Sequence, residues 1–336
     1  MSINNNSVIV SLDALGCENG PGVCFNGAKL ALDRDSDLKI NIVGPKNIIK
    51  DFANCDTRII PTYASEHITM SDHPAISIRK KKDSSIVVGC KNVKKSFSDG
   101  FFSCGNTGAV MAAATLLIGR IRGVIRPCLS TLIPAIKGRQ TLFCDVGANA
   151  DCKPEYLNQF GIMADLYLKY VEMRENINIA LLNIGSEDSK GNRLTQDSFK
   201  LMSENIENFY GNAEGRDVLS GEYDAIITDG FTGNVVLKTM EGTLKTSLGL
   251  VKNAAYKSFF TKIGGLLLKS GLRDIKKNIN PDAVGGAVLL GIDGVCVIGH
   301  GNSNEVAVCN GILKTAEIIR SNITSKIANK IHPQNF

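Results

Sequence analysis

Histidine is scarce in this 336-residue chain, with four copies at 67, 73, 300 and 332. A histidine-based metal site therefore has little to build on. Only His300, between two glycines after an apolar run, is placed like a site residue; a loop histidine capping its neighbours is the competing reading. The ten cysteines are scattered and form neither a C-x-x-C pair nor a Cys/His cluster at zinc spacing, so free thiols in a reducing cytosol are expected. No GxGxxG follows the first strand, no GxxxxGK[ST] occurs and no GxSxG elbow occurs. A classical dinucleotide fingerprint is thus absent, and neither a P-loop kinase nor a serine-hydrolase triad is expected. No apolar run approaches the ~20 residues that span a bilayer. Met1 to Ser7 is polar and uncharged, so no signal peptide is expected. The net charge of +5 is spread along the chain and does not argue for a nucleic-acid partner.

What is present is globular: 43% apolar and 21% charged residues, enough chain for one large α/β domain or two lobes. A single domain over 1–336 is expected. Val8–Leu12, Lys39–Val43, Arg58–Pro61, Thr141–Val146, Ile179–Ile184, Ala225–Ile227 and Val295–Ile298 read as strands alternating with helices. That pattern implies a mostly parallel sheet in a three-layer α/β/α arrangement, with ligands beyond the carboxyl ends of the strands.

The loops after those strands are rich in Gly, Asn, Thr and Asp. Asp229-Gly230-Phe231-Thr232-Gly233-Asn234 precedes a helix expected from Val235, with Asn234 near its cap. Backbone N–H groups and the helix dipole at such a turn favour an anion, although an ordinary βα turn would use the same glycines. Ser103-Cys104-Gly105-Asn106-Thr107-Gly108 repeats the theme, as do Asp145-Val146-Gly147-Ala148-Asn149, Asn183 to Asn192, and Gly299-His300-Gly301. These loops are expected to converge on one hollow lined by Asn, Thr, Ser, backbone N–H and one or two lysines. Such a lining suits holding phosphate and stabilising an acyl oxyanion. Phosphate is itself a nucleophile, so no covalent side-chain intermediate is required.

Residues 71–85 are polar and basic and read as a solvated helix face. Tyr256 to Lys277 interleaves apolar residues with lysines, which suggests amphipathic helices broken at Gly264-Gly265 within a helical hairpin of about 245–280. That hairpin either packs on the core or a dimer partner, or presents an apolar tip to a membrane or an acyl chain.

Taken together, Asp13-Ala14-Leu15-Gly16…Gly20-Pro21, the Ser103 to Ala109 loop, Gly119-Arg120-Ile121…Arg126-Pro127, Asp145 to Asn149, Leu182 to Gly185 with Lys190-Gly191-Asn192, Asn208-Phe209…Glu214-Gly215-Arg216-Asp217, Asp229 to Asn234 and Gly299-His300-Gly301 resemble, in order and spacing, the bacterial phosphate acyltransferases of the PlsX type. The resemblance runs almost end to end and implies a phosphotransacetylase- or isopropylmalate-dehydrogenase-like fold. It also implies acyl transfer from acyl carrier protein to inorganic phosphate, with no cofactor and no metal. A cytoplasmic homodimer is implied, loosely attached to the anionic inner face of the membrane, where a glycerol-3-phosphate acyltransferase would use the product. By position, Lys190 and Asn234 are the catalytic candidates. Asp13, Ser103, Asn106, Thr107, Asp145, Asn149, Asn183, Asp229, Thr232, Gly233 and His300 are the binding candidates.

The family usually reads Asp-Ala-Met-Gly-Gly-Asp-His-Gly-Pro at the first loop; here Cys17, Glu18 and Asn19 replace Gly, Asp and His, while Asp13 is kept. Cys104 stands where the family usually has alanine and is read as a packing thiol. Lys257, Lys262, Lys269, Arg273, Lys276 and Lys277 are candidate contacts for an acidic carrier protein or for lipid. The alternatives are a short-chain phosphotransacetylase acting on acyl-CoA, a metal- and nicotinamide-dependent decarboxylating dehydrogenase on the same fold, and a non-enzymatic membrane scaffold.

Overall fold

The computed structural model describes residues 7–136, 138–278 and 285–331. Eleven strands form one sheet among these residues: β1 (Val8–Asp13), β2 (Leu38–Gly44), β3 (Ile59–Tyr63), β4 (Gly100–Ser103), β5 (Cys128–Pro134), β6 (Gln140–Cys144), β7 (Ile179–Asn183), β8 (Phe209–Glu214), β9 (Ala225–Ile227), β10 (Ala287–Leu290) and β11 (Val295–Ile298). Their spatial order is β3-β2-β1-β4-β11-β10-β5-β6-β9-β7-β8. Pairing is parallel from β3 to β11 and again from β6 to β8. The three pairings between those blocks, β11–β10, β10–β5 and β5–β6, are antiparallel. Three reversals in a row make the two parallel blocks run in opposite directions. Their carboxyl ends therefore point to opposite ends of the sheet, a division that a string of strand–loop–helix units does not reveal.

The helices are α1 (Pro21–Arg34), α2 (Lys46–Ala53), α3 (Pro74–Lys80), α4 (Ser85–Lys94), α5 (Thr107–Ala113), α6 (Pro154–Tyr170), α7 (Arg193–Asn205), α8 (Gly230–Ala255), α9 (Phe259–Asn278), α10 (Glu305–Arg320) and α11 (Ile323–Ile331). Strand alternation sorts them into layers, because successive side chains point to opposite faces. Leu142 and Cys144 of β6 join one apolar core with Cys24 of α1, Phe160 of α6 and Ile312 of α10. Phe143 between them joins the other, with Ile86 of α4, Val110 of α5 and Leu237 of α8. Three layers result, as the strand–helix alternation predicts.

Two local expectations are corrected. The second helix of the hairpin runs unbroken through Gly264-Gly265, and the chain turns instead at 256–258, between α8 and α9. A Cβ on Gly265 would stand 2.8 Å from the Ala255 Cβ, so this glycine lets α9 approach α8 and does not interrupt it. Apart from that contact the hairpin is poorly covered: Phe259, Phe260, Leu266 and Leu267 are 69–83% exposed. Lys257 and Lys262 lie among them and are exposed. The side chains of Lys269, Arg273, Lys276 and Lys277 lie outside the described residues, as do positions 279 and 280 of the expected hairpin.

Candidate active site

The second correction concerns α8, which starts at Gly230 and not at Val235. Asp229 is its cap: the carboxylate accepts from the Thr232 N–H at 2.8 Å and from the Thr232 hydroxyl at 2.7 Å. Asn234 consequently sits one turn inside the helix and is exposed. Glycines 230 and 233 serve contact as well as turning. A Cβ on Gly233 would fall 1.9 Å from the Asp145 carbonyl oxygen, and one on Gly230 would fall 2.8 Å from Asn149 backbone atoms. The start of α8 is thereby pressed onto the loop after β6.

That loop is organised by one carboxylate. Asp145 is fully buried and accepts from the N–H groups of Leu129, Gly147, Ala148 and Asn149 and from the Asn149 amide, at 2.8–3.1 Å. Burial pushes its pKa up, and these donors pull the other way. Asn149 also donates to the Pro127 carbonyl. Asp145 and Asn149 are therefore occupied in shaping the turn. Gly147, at φ +143°, brings the loop beside the Asn234 side chain.

The other block is built similarly around Asp13. Its carboxylate accepts from the Ser103 hydroxyl at 2.7 Å and from the Leu15 N–H at 3.0 Å, and Ser103 in turn accepts from the Gly105 N–H. Asp13 and Ser103 are buried, and burial raises the Asp13 pKa. Asn106 caps α5 through Ala109, and its amide donates to the carbonyls of Thr69, Met70 and Asp72. Thr107 is left exposed at the tip.

After β7, Asn183 donates to the Lys190 carbonyl and to Asn212, which holds the 184–192 loop. The Lys190 ammonium, half-exposed, lies 3.6 Å from Glu187.

A groove of about 1480 Å³ lies on the α5/α8 side of the sheet. Its floor is the antiparallel centre, including Leu129, Thr131 and Ile133 of β5 with Ala287 and Ile298. One wall carries Thr107 and His300. The other is α8, with Asn234, Leu237 and Met240. Arg139, Arg174 and Asp224 close the far end, where Arg174 and Asp224 pair at 3.0 Å. The groove thus unites Asn234, Thr107 and His300. Asp13, Ser103, Asn106, Asp145, Asn149, Asn183, Asp229, Thr232, Gly233 and Lys190 stand outside its lining, most of them shaping the loops. Lys190 follows β7, the strand next to the one that leads to Asn234. The floor and the Arg139/Arg174 end are not legible loop by loop: β5 reads Cys128-Leu129-Ser130-Thr131-Leu132-Ile133-Pro134, with no apolar–polar alternation to mark it as a half-buried strand.

The arrangement sets polar groups from two facing walls beside an apolar floor, suited to an anion next to an aliphatic chain. Among the described residues no cluster of metal-ligating side chains occurs, and no helix is long and apolar enough to cross a membrane.

Residues 8–326 match the family described as fatty acid synthesis protein. The chain is 40% identical to the phosphate acyltransferase of Dictyoglomus turgidum over 323 residues, covering 95% of this chain and 96% of that one. It is 41% identical to the phosphate acyltransferase of Halothermothrix orenii over 331 residues, covering 96% and 98%. In fold it is similar to a phosphotransacetylase from Streptococcus pyogenes, with a TM-score of 0.60 at 15% identity over 95% of this chain and 99% of that one. The EutD phosphotransacetylase from Staphylococcus aureus gives 0.58 at 15% identity over 94% and 95%. With an end-to-end family match and relatives near 40% identity, the chain belongs to the phosphate acyltransferase family and is an acyltransferase.

Proposed function

We propose that the protein transfers a fatty acyl group from acyl carrier protein to inorganic phosphate, releasing acyl phosphate and the free carrier thiol. The observation that carries this reading is the groove, which sets Asn234, Thr107 and His300 beside an apolar floor in one cavity. The acyl chain lies along Leu129, Thr131, Ile133 and Met240, and the thioester reaches Asn234. A phosphate oxygen attacks the carbonyl carbon, forming a C–O bond. The tetrahedral oxyanion accepts a hydrogen bond from the Asn234 amide, and collapse breaks the C–S bond. Lys190 supplies positive charge to phosphate or oxyanion once it leaves Glu187. Asp13, Ser103, Asp145 and Asn149 hold the loops that place these groups.

The exposed α8–α9 hairpin docks on an anionic membrane surface in this reading, with Lys257 and Lys262 beside the apolar tip. The same basic surface receives the acidic carrier. The enzyme works as a cytoplasmic homodimer at the membrane, and a membrane glycerol-3-phosphate acyltransferase consumes its product.

The test incubates the protein with phosphate and either palmitoyl carrier protein or acetyl-CoA. Acyl phosphate from the carrier substrate is expected; turnover with acetyl-CoA alone rejects the proposal. Replacing Leu266 and Leu267 with glutamate should abolish sedimentation with anionic vesicles without changing the oligomeric state. Undiminished sedimentation removes the membrane part.

A further inference from the structure

Behind the Thr107/His300 wall lie three buried thiols with no part in the chemistry above. The Cys24 sulfur is 3.4 Å from the Cys17 sulfur and 3.6 Å from the Asp13 carbonyl oxygen. Cys104 backs the groove itself: a Cβ on Gly299, which lines it, would stand 2.6 Å from the Cys104 sulfur. Cys17 sits in the loop that Asp13 organises, with Gly16 packed on the Cys104 and Gly105 backbone. Cys24 is on α1, fixed against α10 and the sheet. One thiol is therefore on a turn and its neighbour on a rigid helix.

We propose that Cys17 and Cys24 are a peroxide-sensitive dithiol whose oxidation to a disulfide reshapes the Asp13 loop and slows acyl transfer. The last part rests on the acyl-transfer reading above. The Cys17 sulfur attacks a peroxide oxygen, an S–O bond forms, the O–O bond breaks and water leaves, giving a sulfenic acid. The Cys24 sulfur then attacks the Cys17 sulfur; an S–S bond forms, the S–O bond breaks, and a second water carries away the remaining protons. Two thiols and one hydrogen peroxide become one disulfide and two waters.

Electrostatics favours Cys17 as the first nucleophile. Hydrogen bonds from Cys104 and Cys24 pull its pKa down to about 4, and the same contacts push those two thiols up. Burial also pushes Cys90 up and takes Cys296 to about 12, so those cysteines stay protonated. Closure draws the sulfurs from 3.4 Å to about 2.05 Å. It removes the Cys24 contact to the Asp13 carbonyl and the Cys17 contact to Cys104. The turn yields, because α1 is held on both sides.

The experiment treats the full-length reduced protein with hydrogen peroxide, alkylates the remaining thiols and maps the peptides, with acyl-phosphate formation followed in parallel. A Cys17–Cys24 crosslink is expected, two hydrogens lighter than the dithiol. Turnover should fall by up to about 10²-fold, the scale of a 1 Å misplacement near a site, and dithiothreitol should restore it. Cys24→Ala should give no crosslink, and Cys104→Ala should keep it. A Cys17–Cys104 crosslink, the absence of any crosslink in the wild type, or unchanged turnover in crosslinked protein overturns the proposal. If the reduced protein makes no acyl phosphate, the acyl-transfer reading fails, and the peptide map alone decides the dithiol.

Discussion

The two parallel halves of the sheet solve the same problem with unequal stiffness. In the half containing β1 and β4, the Asp13 carboxylate accepts one hydroxyl and one N–H, and glycine packs on the facing loop with an absent Cβ 2.8 Å from backbone nitrogen at Gly16. In the half containing β6 and β9, Asp145 accepts five hydrogen bonds, and the corresponding gap at Gly233 is 1.9 Å to a carbonyl oxygen. The half that presents Asn234 is the more tightly built, and the other carries the Cys17–Cys24 pair. Preorganised donors near the reacting carbonyl favour a rigid mount.

The sharpest way to break this contrast is to add one methyl group on each side. Gly233→Ala forces a Cβ onto the Asp145 carbonyl, whose loop is tied in five places; a loss of about 4 kcal/mol of stability is expected from urea denaturation. Gly16→Ala should lose about half as much. Equal losses would erase the distinction.

Next comes Asn234→Ala. The side chain is exposed and has no hydrogen-bond partner among the described residues. Turnover should drop about 10²–10³-fold, the value of one oxyanion donor, with an unchanged melting temperature. A melting shift without a kinetic effect would move Asn234 from chemistry to scaffolding.

Ser103→Ala is smaller. It removes the Ser103 hydroxyl from the buried Asp13 carboxylate and should cost about 1–3 kcal/mol. Ser103→Thr, which keeps the hydroxyl, should recover part of the loss in the same denaturation assay.

The smallest effect is in pH dependence. Burial raises the Asp13 pKa above 3.8 in the folded protein, so the folded state holds this proton more tightly than the unfolded one. The stability linked to that proton is fully present below about pH 3.8 and is lost as pH rises through the raised value. Asp13→Asn should flatten that decline in urea midpoints measured from pH 3.5 upward. A slope identical to the wild type would mean that Asp13 does not titrate with folding.

Much of the fold was readable in the chain. Apolar runs such as Ala225–Ile227 followed by glycine-bearing loops specify strand, turn and helix by local chemistry alone. The positions of Asp229 and Asn234 were read one turn off, because two residues with similar capping ability stand five apart and only the Thr232 contacts choose between them. Gly265 was misread because a glycine that permits close helix packing looks, in one dimension, like one that ends a helix. The split of the loops between opposite ends of the sheet was hidden for a different reason. It depends on strand direction at β10, β5 and β6, which pairing determines and composition does not.

The antiparallel centre has one more consequence. Val297, Val288, Ser130, Cys144 and Ile227 form a single row of ladder partners from β11 to β9. At about 4.8 Å per step the row spans roughly 19 Å. Both sides of the trough are thus riveted to one continuous plate of hydrogen bonds. A hinge between the two halves would have to break that plate, so the floor of the trough keeps its width while only the loops and helices above it are free to adjust.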